Sequence, residues 1–311
     1  MSNETQRSSA QETVPEVTSA PARADKKPFP FTIVRHVVQV FVLLLFMLPV
    51  LAAGWSLFGG TTGGNEPLAS TPSQMVLYGS LSSTSIFGIT VLDPFAMLQV
   101  VFAGKTFSLD LLVGVLPVLV VYGLIRGRAF CGWTCPVNLV LEIVDWLRKK
   151  LHLQAPERVL PRRTKVYVAA AVLVLSAILS FPVFETLSPI SFINKGILFG
   201  SIVGGVTLLA VILVELFWGH RVWCRAICPL GGFYELLGKV GFISVKIDHD
   251  ACIGCNKCKK ACLCDPEILD APVAGETDRV CAGDCMLCGK CIEECPVHAL
   301  SMGVVPPTKK R

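Results

Sequence analysis

Residues 128–136 read Arg128-Ala129-Phe130-Cys131-Gly132-Trp133-Thr134-Cys135-Pro136, and residues 221–229 read Arg221-Val222-Trp223-Cys224-Arg225-Ala226-Ile227-Cys228-Pro229. Both are Arg-x-aromatic-Cys-x3-Cys-Pro, and each is followed by a glutamate eleven residues after its first cysteine, Glu142 and Glu235. A long apolar run precedes each copy, Leu109 to Ile125 and Ile197 to Trp218. The unit is duplicated, and its cysteines stand where an apolar helix ends. Proline after the second cysteine fits such an end, because it cannot continue a helix from within.

Two further apolar runs, Phe31 to Phe58 and Val166 to Phe184, bring the total to four. In 311 residues, 52% are hydrophobic and only 16% charged, with a mean hydropathy of +0.61, the balance of a membrane protein. About 20 residues at 1.5 Å each cover the roughly 30 Å hydrocarbon core. The expected fold is thus an all-α polytopic membrane protein with four transmembrane helices in two pseudo-repeated pairs, followed by a C-terminal two-cluster ferredoxin-like α+β domain. The first run begins too late and runs too long for a cleaved signal peptide. Its expected divisions are a disordered cytoplasmic tail (1–30), a membrane domain (31–240), a ferredoxin domain (241–303) and a basic tail (304–311).

Charge sets the expected orientation. Arg126, Arg128, Arg148, Lys149, Lys150, Arg158, Arg162, Arg163 and Lys165 fill the middle loop, whereas the opposite loops hold only Lys105 and Lys195. The positive-inside rule then puts both termini and all the cysteine motifs on the cytoplasmic face of the membrane. A net charge of +5 spread in this way does not resemble a nucleic-acid-binding surface. In the outer loop from Gly59 to Phe107, the apolar stretch Leu92 to Phe102 is too short to span and is expected at the interface. Val137 to Leu151 reads as an interfacial amphipathic helix. Gly200-x3-Gly204 offers the last run a close-packing face.

The tail carries the most specific chemistry. Cys285-x2-Cys288-x2-Cys291-x3-Cys295-Pro296 has the spacing of bacterial ferredoxins, and Cys252-x2-Cys255-x2-Cys258-x3-Cys262 repeats it. Three close thiolates cap three irons of a cubane, and in two-cluster ferredoxins the fourth comes from the other run. One [4Fe-4S] cluster is therefore expected on Cys252, Cys255, Cys258 and Cys295, and a second on Cys285, Cys288, Cys291 and Cys262. Leu263 replaces the proline expected after Cys262, so Cys264 is an alternative ligand; Cys281 is spare. Zinc sites usually pair two Cys-x2-Cys knuckles around one loop, and disulfides do not suit a reducing cytoplasm.

Cys131, Cys135, Cys224 and Cys228 are less specific. Each i, i+4 pair could chelate a metal or act as a redox dithiol, and the four together could hold a third metal or cluster; the plain alternative is small residues at a turn. Glu215, one turn inside its apolar run, could accept protons from a quinol or reach the interface. His36, Gln39, Asp93 and Gln99 have similar status.

With the duplicated phrase and the ferredoxin tail, Leu92-Asp93-Pro94, Leu98-Gln99 and Cys228-Pro229-Leu230-Gly231-Gly232-Phe233-Tyr234 resemble the NapH family, the ferredoxin-type membrane component of the quinol dehydrogenase serving periplasmic nitrate reductase. The chain is also similar to MauN proteins, and more distantly to NosR-type regulators and oxidase-assembly iron–sulfur proteins. The resemblance implies a component of a quinol dehydrogenase rather than a complete enzyme. Membrane quinol would be the substrate, and electrons would pass to a partner periplasmic ferredoxin-type iron–sulfur protein and a terminal reductase. Alternatives are an assembly factor for a metalloenzyme and a passive membrane anchor for a soluble carrier. No Rossmann glycine motif is present for a nicotinamide.

Overall fold

The computed structural model describes residues 29–52, 77–86, 89–105, 107–152, 160–161, 163–197 and 202–305. The polar segment 1–28, Gly200 and the basic residues at 309–311 lie outside the described residues.

The four apolar runs form helices, but the expected four-span membrane fold is corrected. Among the described residues, no helix is long and apolar enough to cross a membrane. Helix α3 (Leu109–Ile125) has 17 residues, and α6 (Thr164–Leu179) and α9 (Ile202–Phe217) have 16 each. At 1.5 Å per residue they reach only about 24–26 Å. Local chemistry shortens them. Ser180 ends α6 in a left-handed conformation, and Pro182 then opens a separate short helix, α7 (Val183–Leu187). Beyond α8 (Pro189–Ser191) comes a π-helical turn at Phe192–Gly196, and α9 is described from Ile202. Helix α1 (Phe31–Ala52) is longer, but it turns Arg35 and Gln39 into the protein interior, both fully buried.

Nor is this part all-α. Strands β1 (Leu77–Gly79), β2 (Ser83–Ile86) and β3 (Ile89–Leu92) make an antiparallel sheet within the expected outer loop. The segment expected at the interface becomes α2 (Pro94–Gly104), whose Pro94, Phe95, Ala96 and Met97 are buried. Asp93 starts it by accepting the Phe95 and Ala96 amides, satisfying two of the donors a helix start leaves open.

The duplication is visible in the packing. The first phrase leads into α5 (Pro136–Lys150), which lies on α1; the second leads into α10 (Pro229–Gly238), which lies on α6. Glu142 on α5 pairs with Arg35 of α1, and Glu235 on α10 with Lys165 of α6. In the tail, β4 (Ile243–Ile247) pairs antiparallel with β5 (Leu300–Val304), matching Ile243 to Val304 and Ile247 to Leu300. That pairing ties the ends together, and both cysteine runs lie between them. Short helices α11 (Lys257–Lys260), α12 (Asp270–Val273) and α13 (Lys290–Glu293) complete the tail.

Candidate metal centres

Each duplicated phrase is a short helical turn that breaks at its second cysteine. Helix α4 (Ala129–Trp133) carries Cys131, and the π-helical turn Trp223–Ile227 carries Cys224. Cys135 (φ −69°, ψ 119°) and Cys228 (φ −63°, ψ 113°) are extended in nearly the same way, and proline occupies the next helix's first position, where it lacks no partner. Matching backbones bring all four cysteines to one small cavity, walled by Phe130, Val137, Ile190 and Leu230. The thiols feel one another there. Burial, then Cys131, push Cys228 up to about 12; burial and Cys131 also raise Cys135. Four buried thiols gathered in this way can become thiolates together only if a positive group sits among them.

The tail builds two more such places. Cys252, Cys255, Cys258 and Cys295 line one small cavity, and Cys285, Cys288, Cys291, Cys262 and Cys264 line another. Each cavity thus takes cysteines from both runs. Cys291 is raised by burial, then by Cys288, Cys285 and Cys262, so Cys262 stands among the thiols of the second run. Cys264 is placed differently: its sulfur accepts from Arg128 Nη1 at 2.9 Å and donates to the Asp284 carbonyl at 3.1 Å. Cys281 is exposed and lines neither cavity.

The donor set fits iron–sulfur clusters. All fourteen cysteines are free thiols. Among the described residues, no three His, Cys, Asp or Glu side chains are grouped to hold a single metal ion. A zinc site would need four sulfurs drawn to about 2.3 Å from one point. Sulfurs arrayed around a cavity suit a polynuclear group that takes one thiolate per iron.

The first phrase and the tail are in direct contact. A Cβ on Gly132 would stand 2.5 Å from the Met286 carbonyl oxygen, so only glycine permits this approach. Trp133 Nε1 donates to the Leu287 carbonyl at 2.9 Å. Arg126 donates to the carbonyls of Ile243 and Ala282 at 3.0 and 2.6 Å. Arg128 bridges the two regions, donating to Asp284 Oδ1 at 2.6 Å and to the Cys224 carbonyl at 2.7 Å. Lys165 also binds Asp284, whose carboxyl burial would raise but Arg128 and Lys165 hold below its ordinary value. In the sequence Lys165 counts only as one of the middle-loop charges and Asp284 is given no role; the available signals were a carboxylate directly before Cys285 and a cation at the start of an apolar run.

The other polar residues are accounted for individually. Glu215 is buried and accepts the Trp223 amide at 2.9 Å, which anchors the second phrase. Gln39 donates to the Gly132 carbonyl, Gln99 accepts the Phe184 amide, and His36 joins Arg35 on Glu142. Asp93 Oδ1 accepts from the Tyr234 hydroxyl at 2.6 Å. None of these residues lines the four-cysteine cavity.

These features define an iron–sulfur protein of the ferredoxin type. Sequence profiles described as "4Fe-4S binding domain" match residues 107–154 and 201–248, which contain the two phrases, and residues 282–301 of the tail. The chain is 32% identical to methylamine utilization ferredoxin-type protein MauN of Paracoccus denitrificans, over 81% of this chain and 83% of that protein. It is 32% identical to ferredoxin-type protein NapH of Escherichia coli, over 71% of this chain and 77% of that protein. The chain belongs to the NapH/MauN family of ferredoxin-type proteins and is a [4Fe-4S] electron-transfer protein. No solved structure is similar to it.

Proposed function

We propose that this chain holds three [4Fe-4S] clusters and takes part in quinol oxidation at the bacterial cytoplasmic membrane, sending electrons to a partner iron–sulfur protein that feeds a periplasmic reductase. The observation that carries the reading is the set of three similar cysteine-lined cavities, with the first phrase packed directly on the second run of the tail. Cys252, Cys255, Cys258 and Cys295 would hold one cluster, and Cys285, Cys288, Cys291 and Cys262 another. Cys131, Cys135, Cys224 and Cys228 would hold the third. Cys264 is left to the Arg128–Asp284 ion cluster rather than to iron. Such clusters accept and release single electrons, so a series can divide the pair from a two-electron donor.

The protein supplies position, charge and dryness. Arg128 lies beside Cys131, Cys224 and Cys264, where its cation offsets thiolate charge between two of the cavities. Phe130, Val137 and Leu230 exclude water from the four-cysteine cavity. Cys255 is exposed, which offers the outermost site to a partner protein. Exposed apolar side chains such as Val113, Leu116, Ile178, Ile202 and Val206 support contact with lipid, and hence access to a membrane quinol. The NapH resemblance favours nitrate reductase as the terminal partner.

Iron and acid-labile sulfide measured on anaerobically purified full-length protein test the cluster number. About twelve irons per chain are expected; about eight, the content of two cubanes, overturns the third site. Incubation with a reduced short-tailed quinone, followed by low-temperature electron paramagnetic resonance, tests the donor. No cluster reduction, with or without the partner protein, overturns the quinol reading.

A further inference from the structure

The cavities differ greatly in what they can hold. The pocket beside the four-cysteine cavity, lined by Asp93 and the unpartnered amide of Asn194, has room for about one water. A far broader groove, open to solvent, lies between the end of α5 and the first cysteine run of the tail. Its floor is Ala261, Cys262 and Leu263, so the second tail site comes to the surface there. Cations converge on that floor from separate parts of the chain: Arg148 and Lys149 from the last turn of α5, Lys257 and Lys260 from α11, and Lys290 from α13.

The groove's own carboxylates do not answer these cations. Glu142 is held by Arg35 and His36, Asp145 by Arg221 and His220, and Glu294 by Lys290. Among the described residues, Arg148, Lys149, Lys257 and Lys260 pair with no carboxylate, and Arg148 Nη1 is shielded from water without a hydrogen-bond partner. A helix end favours Arg148 and Lys149 locally, but it does not account for lysines of the tail meeting them across Cys262. Trp146, 59% exposed in the same groove, adds an aromatic anchor of the kind that protein interfaces favour.

We infer that this groove docks the acidic face of a soluble one-electron carrier protein, set over the second tail site. Unpaired cations gathered from three elements call for several carboxylates at once, and such a patch also steers an acidic partner toward it. The apolar side chains offered to lipid, Val113, Ile178 and Ile202 among them, do not line the groove, which favours a protein over a bilayer as its occupant. A docked carrier would exchange one electron with the iron–sulfur group there, one centre gaining what the other loses, with no bond made and no proton moved. That use rests on the cluster reading above, whereas the docking rests on charge and shape.

Carbodiimide cross-linking of the full-length protein to an acidic plant-type [2Fe–2S] ferredoxin, mapped by mass spectrometry, tests the docking. Cross-links are expected at Lys149, Lys257, Lys260 or Lys290 in about 10 mM salt, and they should fade at about 150 mM as the screening length falls from about 30 to about 8 Å. Lys257→Glu combined with Lys260→Glu should weaken ferredoxin binding roughly tenfold. Lys239→Glu combined with Lys246→Glu, an equal change of net charge outside the groove, should leave it unchanged. Equal losses in the two double variants, cross-links from the groove lysines only to carboxylates of this chain itself, or groove-dependent binding of anionic-lipid vesicles without ferredoxin binding each overturn the docking. Iron and sulfide are measured on the same samples. Full cluster content without groove-dependent binding overturns the docking and leaves the cluster reading standing; groove-dependent binding with iron too low for a second tail cluster overturns the electron contact and leaves the docking.

Discussion

The two copies of the phrase hold their cysteines alike and differ in nearly everything around them. Arg128 of the first reaches the tail at Asp284, whereas Arg221 of the second binds Asp145 and Asn138 at 2.8 Å on the first copy's own helix. Where the first has Gly132, pressed against Met286, the second has Arg225, which extends to Asp265 at 3.0 Å. Where the first has buried Leu141, the second has buried Tyr234, bonded to Asp93. The comparison teaches a division of labour: a common cysteine-bearing turn was kept, the first copy's flank packs its backbone and a buried arginine on the tail, and the second's reaches the tail only by a charge at the rim while its tyrosine binds Asp93.

Arg128 should give the largest contrast. Replacing it by Met leaves Asp284, 1% exposed, with Lys165 alone, and breaking a buried charged set by removing one partner costs about 3–5 kcal/mol. Arg221→Met should cost less, about 1–3 kcal/mol, because Asp145 is 17% exposed and retains His220. Denaturant unfolding of the cluster-loaded chain, with limited proteolysis to detect tail release, makes the comparison. Equal losses would break the assigned division. Acid should act through the same cluster. Asp284 is held below its ordinary value, so its contribution is complete above the unfolded value of about 3.9 and disappears as pH falls through the folded one. Arg128→Met should blunt that acid sensitivity.

Gly132→Ala follows in size. The added methyl meets the Met286 carbonyl oxygen at 2.5 Å and its Cβ at 3.3 Å, so phrase and tail must separate, at a cost of about 1–3 kcal/mol. A lost Trp133–Leu287 contact should appear as a changed tryptophan emission. An unchanged spectrum and stability would mean that the first copy does not bear on the tail in this way.

Tyr234 sharpens the other half of the comparison. Tyr234→Phe removes a buried hydrogen bond to a carboxylate, worth about 1.5–3 kcal/mol, and its loss should push Asp93 higher still, because Tyr234 lowers it. In the unaltered protein, Asp93 is raised from 3.8 to about 6. The folded state therefore holds the proton more tightly, and this group's contribution to stability, full below 3.8, declines as pH rises through about 6. Unfolding midpoints measured between pH 4 and 8 should show that decline in the native sequence and lack it in Asp93→Asn.

Much of this could be read from the chain itself. The duplicated spacing marked both cysteine pairs and the glutamates behind them, and the two tail runs stood out because cubane ligation imposes a fixed spacing. The helices were legible; that none of those described is long and apolar enough to cross a membrane was not. Hydropathy counts apolar residues without registering that Ser180 and Pro182 end α6, or that α1 turns Arg35 inward to Glu142. The β1–β3 sheet gave little warning, since its strands have only three or four residues each. Asp284 and Asn194 escaped notice, and Lys165 was read only as an orienting charge, because their significance depends on elements distant in sequence. A lone Asn among apolar residues has meaning only once the pocket it faces has formed.

The smallest effect belongs to Arg225. Its guanidinium is 12% exposed and pairs with Asp265, which is buried, and Glu267, which is 54% exposed. The pair with Glu267 is exposed and contributes at most about 1 kcal/mol; Asp265 is buried, but Arg225 reaches it from a partly exposed rim where water can take the guanidinium's place, and Asp265 keeps its bond from the Glu267 amide when the arginine is lost. Arg225→Ala should therefore lower stability by less than Gly132→Ala, and its effect should shrink further in about 1 M salt, where exposed charges are screened within roughly 3 Å. Gly132→Ala acts through steric contact and should not respond to salt. Opposite salt behaviour would reverse the roles assigned to these equivalent positions, since the second copy holds the tail through charge at its rim and the first through close backbone packing at its centre.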